Sequence, residues 1–117
     1  MVTIKIKALS VNRSYAGRRF STPELKAYKL ELAYRLPRNI KIPKTGKLSV
    51  FYEFGVSSKL ADIDNNIKSF QDTLAEAYGF NDRDIYELRA VKKIVSKGSE
   101  YVAFEIAATK LDKLPCA

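Results

Sequence analysis

At 117 residues, with 46% hydrophobic and 29% charged residues and a formal net charge of +8, the chain has the balance of one domain with a single core rather than of a disordered or low-complexity segment. It contains no histidine and one cysteine, Cys116. That composition excludes imidazole bases and ligands, Ser/His and Cys/His nucleophilic pairs and an intrachain disulfide, so chemistry must rest on carboxylates, lysine or tyrosine.

The opening MVTIKIKALS alternates instead of forming the continuous apolar run of a signal peptide, and no run approaches a membrane span. A cytoplasmic protein with no membrane partner is expected. Val2, Ile4, Ile6 and Ala8 alternate with Thr3, Lys5 and Lys7, the period of a half-buried strand with a basic outer face. Ser10 to Ser21 carries Asn12, Arg13, Tyr15, Gly17, Arg18 and Arg19 and predicts a loop or hairpin with a cationic tip. It is either a solvated turn or an arm that contacts phosphates and stacks on bases.

Ser21 or Thr22 with Pro23 and Glu24 is a helix-start signature. Leu25, Tyr28, Leu32 and Leu36 continue at helical spacing until Pro37, predicting a first helix over 23–36. After the Pro- and Gly-containing link 38–46, Leu48, Val50, Tyr52, Phe54 and Val56 form one face of a strand, with Ser49, Phe51 and Glu53 on the other. A second helix runs from Asp62 through Tyr78, with Ile67, Phe70, Leu74 and Ala77 or Tyr78 as its buried stripe and Gly79 as its stop. Ile85–Val95 and Val102–Ala108 return to strand, separated by a turn at Gly98. The order β-(hairpin loop)-α-β-α-β-β implies an α+β fold, two helices packed on a mixed β-sheet, over residues 1–109. The tail 110–117 is expected to fray.

Five of the six aspartates, Asp62, Asp64, Asp72, Asp82 and Asp84, fall between positions 61 and 84 of this basic chain. Asp62 and Asp64 stand at a strand-to-helix junction, and Asp64, Lys68 and Asp72 follow at intervals of four on one helix face. Two carboxylates about 5 Å apart repel by roughly 3 kcal/mol at an effective dielectric of about 20, and a divalent cation offsets that repulsion better than Lys68 and the helix terminus do. Capping by Asp62 or Asp64 with a surface ion-pair ladder is the structural alternative. An EF-hand loop starting at Asp62 fails at its sixth position, where Ile67 replaces glycine, and at its twelfth, where Thr73 replaces glutamate. A carboxylate-and-water site for Mg²⁺ or Mn²⁺ survives.

Asp62, Asp64, Asn65 and Lys68, then Asp72 and Leu74, then Gly79, Asn81 and Asp82, form a pattern that resembles the RusA-type Holliday junction resolvases. Ser10 to Tyr15, Gly17 to Ser21 and Ala27 to Lys29 resemble that family's opening, so the likeness runs over residues 10–106. It implies a homodimeric, Mg²⁺-dependent endodeoxyribonuclease that nicks opposed strands of a four-way DNA junction, of a type carried by phages and prophages. Asp62, Asp64 and Asp82 match the family's metal-binding catalytic aspartates and Lys68 its essential lysine, while Asp72 matches a frequent acid of the motif. Members commonly carry several basic residues just before the first aspartate. Here Ser57, Ser58, Lys59, Leu60 and Ala61 supply one.

On this reading Lys68 stays protonated among carboxylates and neutralises charge in the transition state. Arg13, Arg18, Arg19, Lys59, Arg83, Arg89, Lys92 and Lys93 hold backbone phosphates, with Asn12 and Tyr15 assisting on the arm. A helix of about 16 residues is roughly 24 Å long, which places Asp82 far from Asp62: either the helix breaks early or, the favoured reading, Asp82 of a second subunit completes the site across a two-fold axis. The competing function is a non-catalytic nucleic-acid-binding or replication-accessory protein in which the aspartates only cap and pair. An RNase or general nuclease is a third possibility.

Overall fold

The computed structural model describes residues 1–8, 15–16, 20–21, 23–44, 47–60 and 63–109, with the side chains of 15–16, 20–21 and 65 excepted. The chain runs through strands β1 (Val2–Ile4), β2 (Tyr15–Ala16) and β3 (Phe20–Ser21), helix α1 (Pro23–Arg35), strand β4 (Leu48–Val56), helix α2 (Ile63–Tyr78), a 3₁₀ turn (Asp82–Asp84), and strands β5 (Ile85–Ile94) and β6 (Tyr101–Ala108). This is the α+β architecture expected from the hydrophobic periods. The four-stranded sheet has the order β1-β6-β4-β5 and is mixed, with β5 parallel to β4 and β6 antiparallel to both β4 and β1. Tyr15 pairs with Ser21 and Ala16 with Phe20, so the expected hairpin forms, while its tip lies outside the described residues. So do the expected N-cap Asp62 and the tail 110–117.

Alternation along β4 divides the sheet into two faces. Val50, Tyr52, Phe54 and Val56 enter the core with Leu25, Tyr28 and Leu32 of α1 and Phe70 and Leu74 of α2. The Phe70 ring stands edge-on to Tyr52 at 5.3 Å, Phe54 at 5.6 Å and Phe104 at 5.9 Å between centroids, the geometry that aromatic quadrupoles favour. Ser49, Phe51 and Glu53 point to the other face, which carries no helix among the described residues.

The helix ends follow local chemistry. The Leu36 amide donates to the Leu32 carbonyl at 2.9 Å, extending α1 up to Pro37. Gly79 takes φ +72° and its amide reaches the Ala75 carbonyl at 2.9 Å, closing α2 in the left-handed conformation that glycine adopts at least cost. Tyr78, not Ala77, completes the buried stripe, and its hydroxyl donates to the Pro37 carbonyl at 2.8 Å.

The strands adjacent in sequence, β5 and β6, are not neighbours in the sheet. The turn between them carries the chain past the end of β4, where the Val95 amide donates to the Val56 carbonyl at 2.8 Å. β5 is therefore a sheet edge, and Tyr86, Leu88 and Ile94 on it stay exposed.

Candidate functional site

Helix α2 starts at Ile63, one residue after Asp62, and has Asp64 in its first turn. Asp64 and Lys68 are exposed and Asp72 is half-buried. The Lys68 ammonium lies 4.0 Å from the Asp72 carboxylate, one turn along, at the limit of an ion pair and worth little in an exposed setting. The expected Asp64, Lys68 and Asp72 face is therefore present, with the ammonium still open to solvent.

Asp82 lies beyond the other end of α2, but the chain turns back there. After Gly79, Asn81 caps the 3₁₀ turn by accepting the Arg83 amide on its side chain at 3.1 Å, and the Asp84 amide donates to the Asn81 carbonyl at 2.9 Å. Asp82 is exposed in this turn. Its effect reaches the core: burial first, and the negative charge of Asp82 second, hold the Tyr52 phenol protonated far above the usual tyrosine range. The Tyr52 hydroxyl donates to Gln71 Oε1 at 2.9 Å.

Gln71 follows Asp64 by seven residues, two helical turns, or about 10.5 Å at 1.5 Å per residue. One side of α2 thus offers Asp64, Lys68 and Gln71 in turn, while Ile85, three residues after Asp82, pairs with Leu48 at the opposite end of β4 from Val56, which leads into α2.

Magnesium suits the chemistry of these donors, exposed hard carboxylate oxygens with room for water. Among the described residues no group of three or more acids gathers around one point. Asp62 lies outside that description, so the Asp62, Asp64 and Asp82 set rests on the sequence pattern.

The cations separate by strand parity. In the β4–β5 register Phe54 pairs with Lys92, placing Lys92 on the helix-covered face, where its ammonium donates to the Lys59 carbonyl at 3.1 Å. Phe51 pairs with Arg89 and Gly55 with Lys93 on the open face. There Arg89 stacks over the Phe51 ring at 5.7 Å and Lys93 pairs with Glu53 at 3.5 Å. Arg83 is exposed beside Asp82, and Lys59 is exposed in the loop before α2. Asn12, Arg13, Arg18 and Arg19 lie outside the described residues, and Tyr15 is described by its backbone alone.

No family model and no curated protein matches this chain. The likeness to junction resolvases accordingly rests on its motif residues.

Sequence reading missed Tyr52 and Gln71 as a pair. The available signal was a tyrosine on the inward face of a strand, whose hydroxyl needs a partner when buried. It also missed a buried polar row on α2, Asn66, Ser69 and Thr73. Thr73 bonds back to the Ser69 carbonyl at 2.9 Å, whereas Asn66 Nδ2 and the Tyr28 hydroxyl of α1 are buried with no hydrogen-bond partner among the described residues.

Among the described residues no helix is long and apolar enough to cross a membrane.

Proposed function

We propose that this chain is a Mg²⁺-dependent, structure-selective endodeoxyribonuclease that resolves four-way DNA junctions by paired symmetric nicks in recombination and repair. The observation that carries the reading is the Asp64, Lys68 and Asp72 face of α2, with Asp64 and Lys68 exposed near its start and Asp82 exposed in the 3₁₀ turn beyond its other end. The motif spacing of Asp62, Asp64, Lys68, Asp72 and Asp82 supports the same reading. Asp62, Asp64 and Asp82 supply the carboxylate oxygens that hold Mg²⁺, or Mn²⁺ in its place. The bound ion contributes Lewis acidity toward the scissile phosphate and a more acidic attacking water.

Lys68 neutralises negative charge that develops on the phosphate. Asp72 faces Lys68 at 4.0 Å and restrains it. Arg83 and Lys59, with Arg13, Arg18 and Arg19 of the hairpin, contact backbone phosphates and hold the branched DNA. A homodimer places two such sites on opposed strands, as the two-fold symmetry of the junction requires. The setting is the bacterial cytosol, with the gene carried by host, phage or prophage.

The test is incubation of the protein with a synthetic four-way junction and with linear duplex, each with and without Mg²⁺. Paired nicks on the junction alone, dependent on Mg²⁺ and lost in Asp64→Asn while binding persists, are expected. Wild-type protein that binds the junction without cutting it makes the chain a binding module instead. Equal cutting of linear duplex or RNA makes it a general nuclease.

A further inference from the structure

The loop that delivers the chain to α2 is fastened at successive residues. The Ser57 hydroxyl donates to Glu100 Oε2 at 2.9 Å, and the other oxygen of Glu100 accepts the Gly98 amide at 2.8 Å. Ser58 Oγ accepts the Leu60 amide at 3.1 Å, closing a tight local turn. The Lys59 carbonyl between them accepts Lys92 Nζ at 3.1 Å from the edge strand β5. Lys59 precedes Asp62 by three residues and the first residue of α2 by four.

Lys92 is exposed, and a cation on a basic protein is ordinarily read as a phosphate contact. Three features of its setting argue otherwise. It lies on the helix-covered face, paired with the fully buried Phe54. Its ammonium is engaged by a backbone carbonyl, an acceptor that stays in place at any pH. The carbonyl it engages belongs to the segment leading into the aspartates, and a displacement of about 1 Å in a reacting group costs up to about 100-fold in rate.

We propose that Lys92 is a positioning residue, which fixes the Ser57–Leu60 loop against β5 and so sets how the start of α2 presents its acids, rather than a contact to DNA. The consequence for catalysis rests on the nuclease reading above; the clamp itself does not.

The experiment compares wild type, Lys92→Met, which keeps the stem without the donor, and Lys92→Arg, which restores a donor. It has two readouts. Backbone ¹⁵N order parameters at Ser58, Lys59 and Leu60 report the clamp in the absence of DNA. Single-turnover nicking, junction Kd and its salt dependence report the rest.

The proposal expects order parameters in the loop to fall in Lys92→Met and recover in Lys92→Arg. Nicking slows about tenfold, while Kd and its salt slope stay at wild-type values. Unchanged order parameters with a salt slope smaller by about 0.9, the loss of one phosphate contact, overturn it. A loosened loop with wild-type nicking overturns the positioning role. If wild type does not nick at all, the nuclease reading fails and the order parameters alone decide the clamp: a fall supports it and no change refutes it.

Discussion

Alternate residues of β4 build two surfaces with different physics. Toward the helices, Tyr52 and Phe54 are fully buried, and the one polar atom they bring, the Tyr52 hydroxyl, is paired with Gln71. Toward the open side, Phe51 and Glu53 remain half-buried, and their partners are charged or polar: Arg89 over the ring, Lys93 and the Tyr101 hydroxyl on the carboxylate. A cation's role here follows from which surface its strand parity assigns it to. Lys92 and Lys93 are sequence neighbours, yet one fastens the loop before α2 and the other neutralises an acid on the far side of the sheet.

The largest effect that probes this contrast is loss of the aromatic centre. Phe70→Ala should cost about 3–5 kcal/mol, read as a lower urea midpoint, whereas Phe51→Ala on the open face should cost roughly 1 kcal/mol. Equal losses would erase the distinction between the surfaces.

Gly55→Ala is next, because a Cβ there would collide with the Tyr101 ring. The ring must leave the strand surface and give up its 2.6 Å hydrogen bond to Glu53. A loss of about 1–3 kcal/mol is expected. It should be less than additive with Tyr101→Ala, since both remove the same contact.

A smaller change of opposite sign is expected on the covered face. Tyr28 buries its hydroxyl with no partner among the described residues, so Tyr28→Phe should stabilise the fold by about 1 kcal/mol in the same denaturation assay.

Burial also holds the Tyr28 and Tyr52 phenols protonated where the unfolded chain releases its protons near pH 10.0. Each contribution is therefore complete below pH 10.0 and declines as pH rises beyond it. The urea midpoint should fall over that alkaline range, and Tyr28→Phe should shed its share of the fall.

Subunit mixing sharpens the position of Asp82. If each site closes within one chain, mixed Asp64→Asn and Asp82→Asn subunits have no intact site and stay inactive. If Asp82 crosses to a partner, the mixed dimer regains one working site and produces single nicks.

Much of the fold was legible because its signals are local and periodic. Leu25, Tyr28 and Leu32 kept helical spacing, β4 alternated from Leu48 to Phe54, and Gly79 marked the helix stop. The placement of β6 beside β4 instead of β5 was not legible, because strand order depends on pairings far apart in sequence. The same limit governed the site. Asp64, Lys68 and Asp72 could be placed on one face from their spacing alone. The distance from Asp82 to the acids at the start of α2 depends on how the turn after Gly79 packs, which spacing alone does not report. The burial of Asn66, Ser69 and Thr73 was hidden for a related reason, since polar residues report their surroundings only once the packing partner is known.

The most direct measurement of the central claim, that the acids beside α2 and not those on the open face perform chemistry, compares Asp64→Asn with Glu53→Gln on a four-way junction in Mg²⁺. Paired nicking should vanish in Asp64→Asn with junction binding retained, and should persist in folded Glu53→Gln. Undiminished nicking in Asp64→Asn, or none in the wild type, would contradict it.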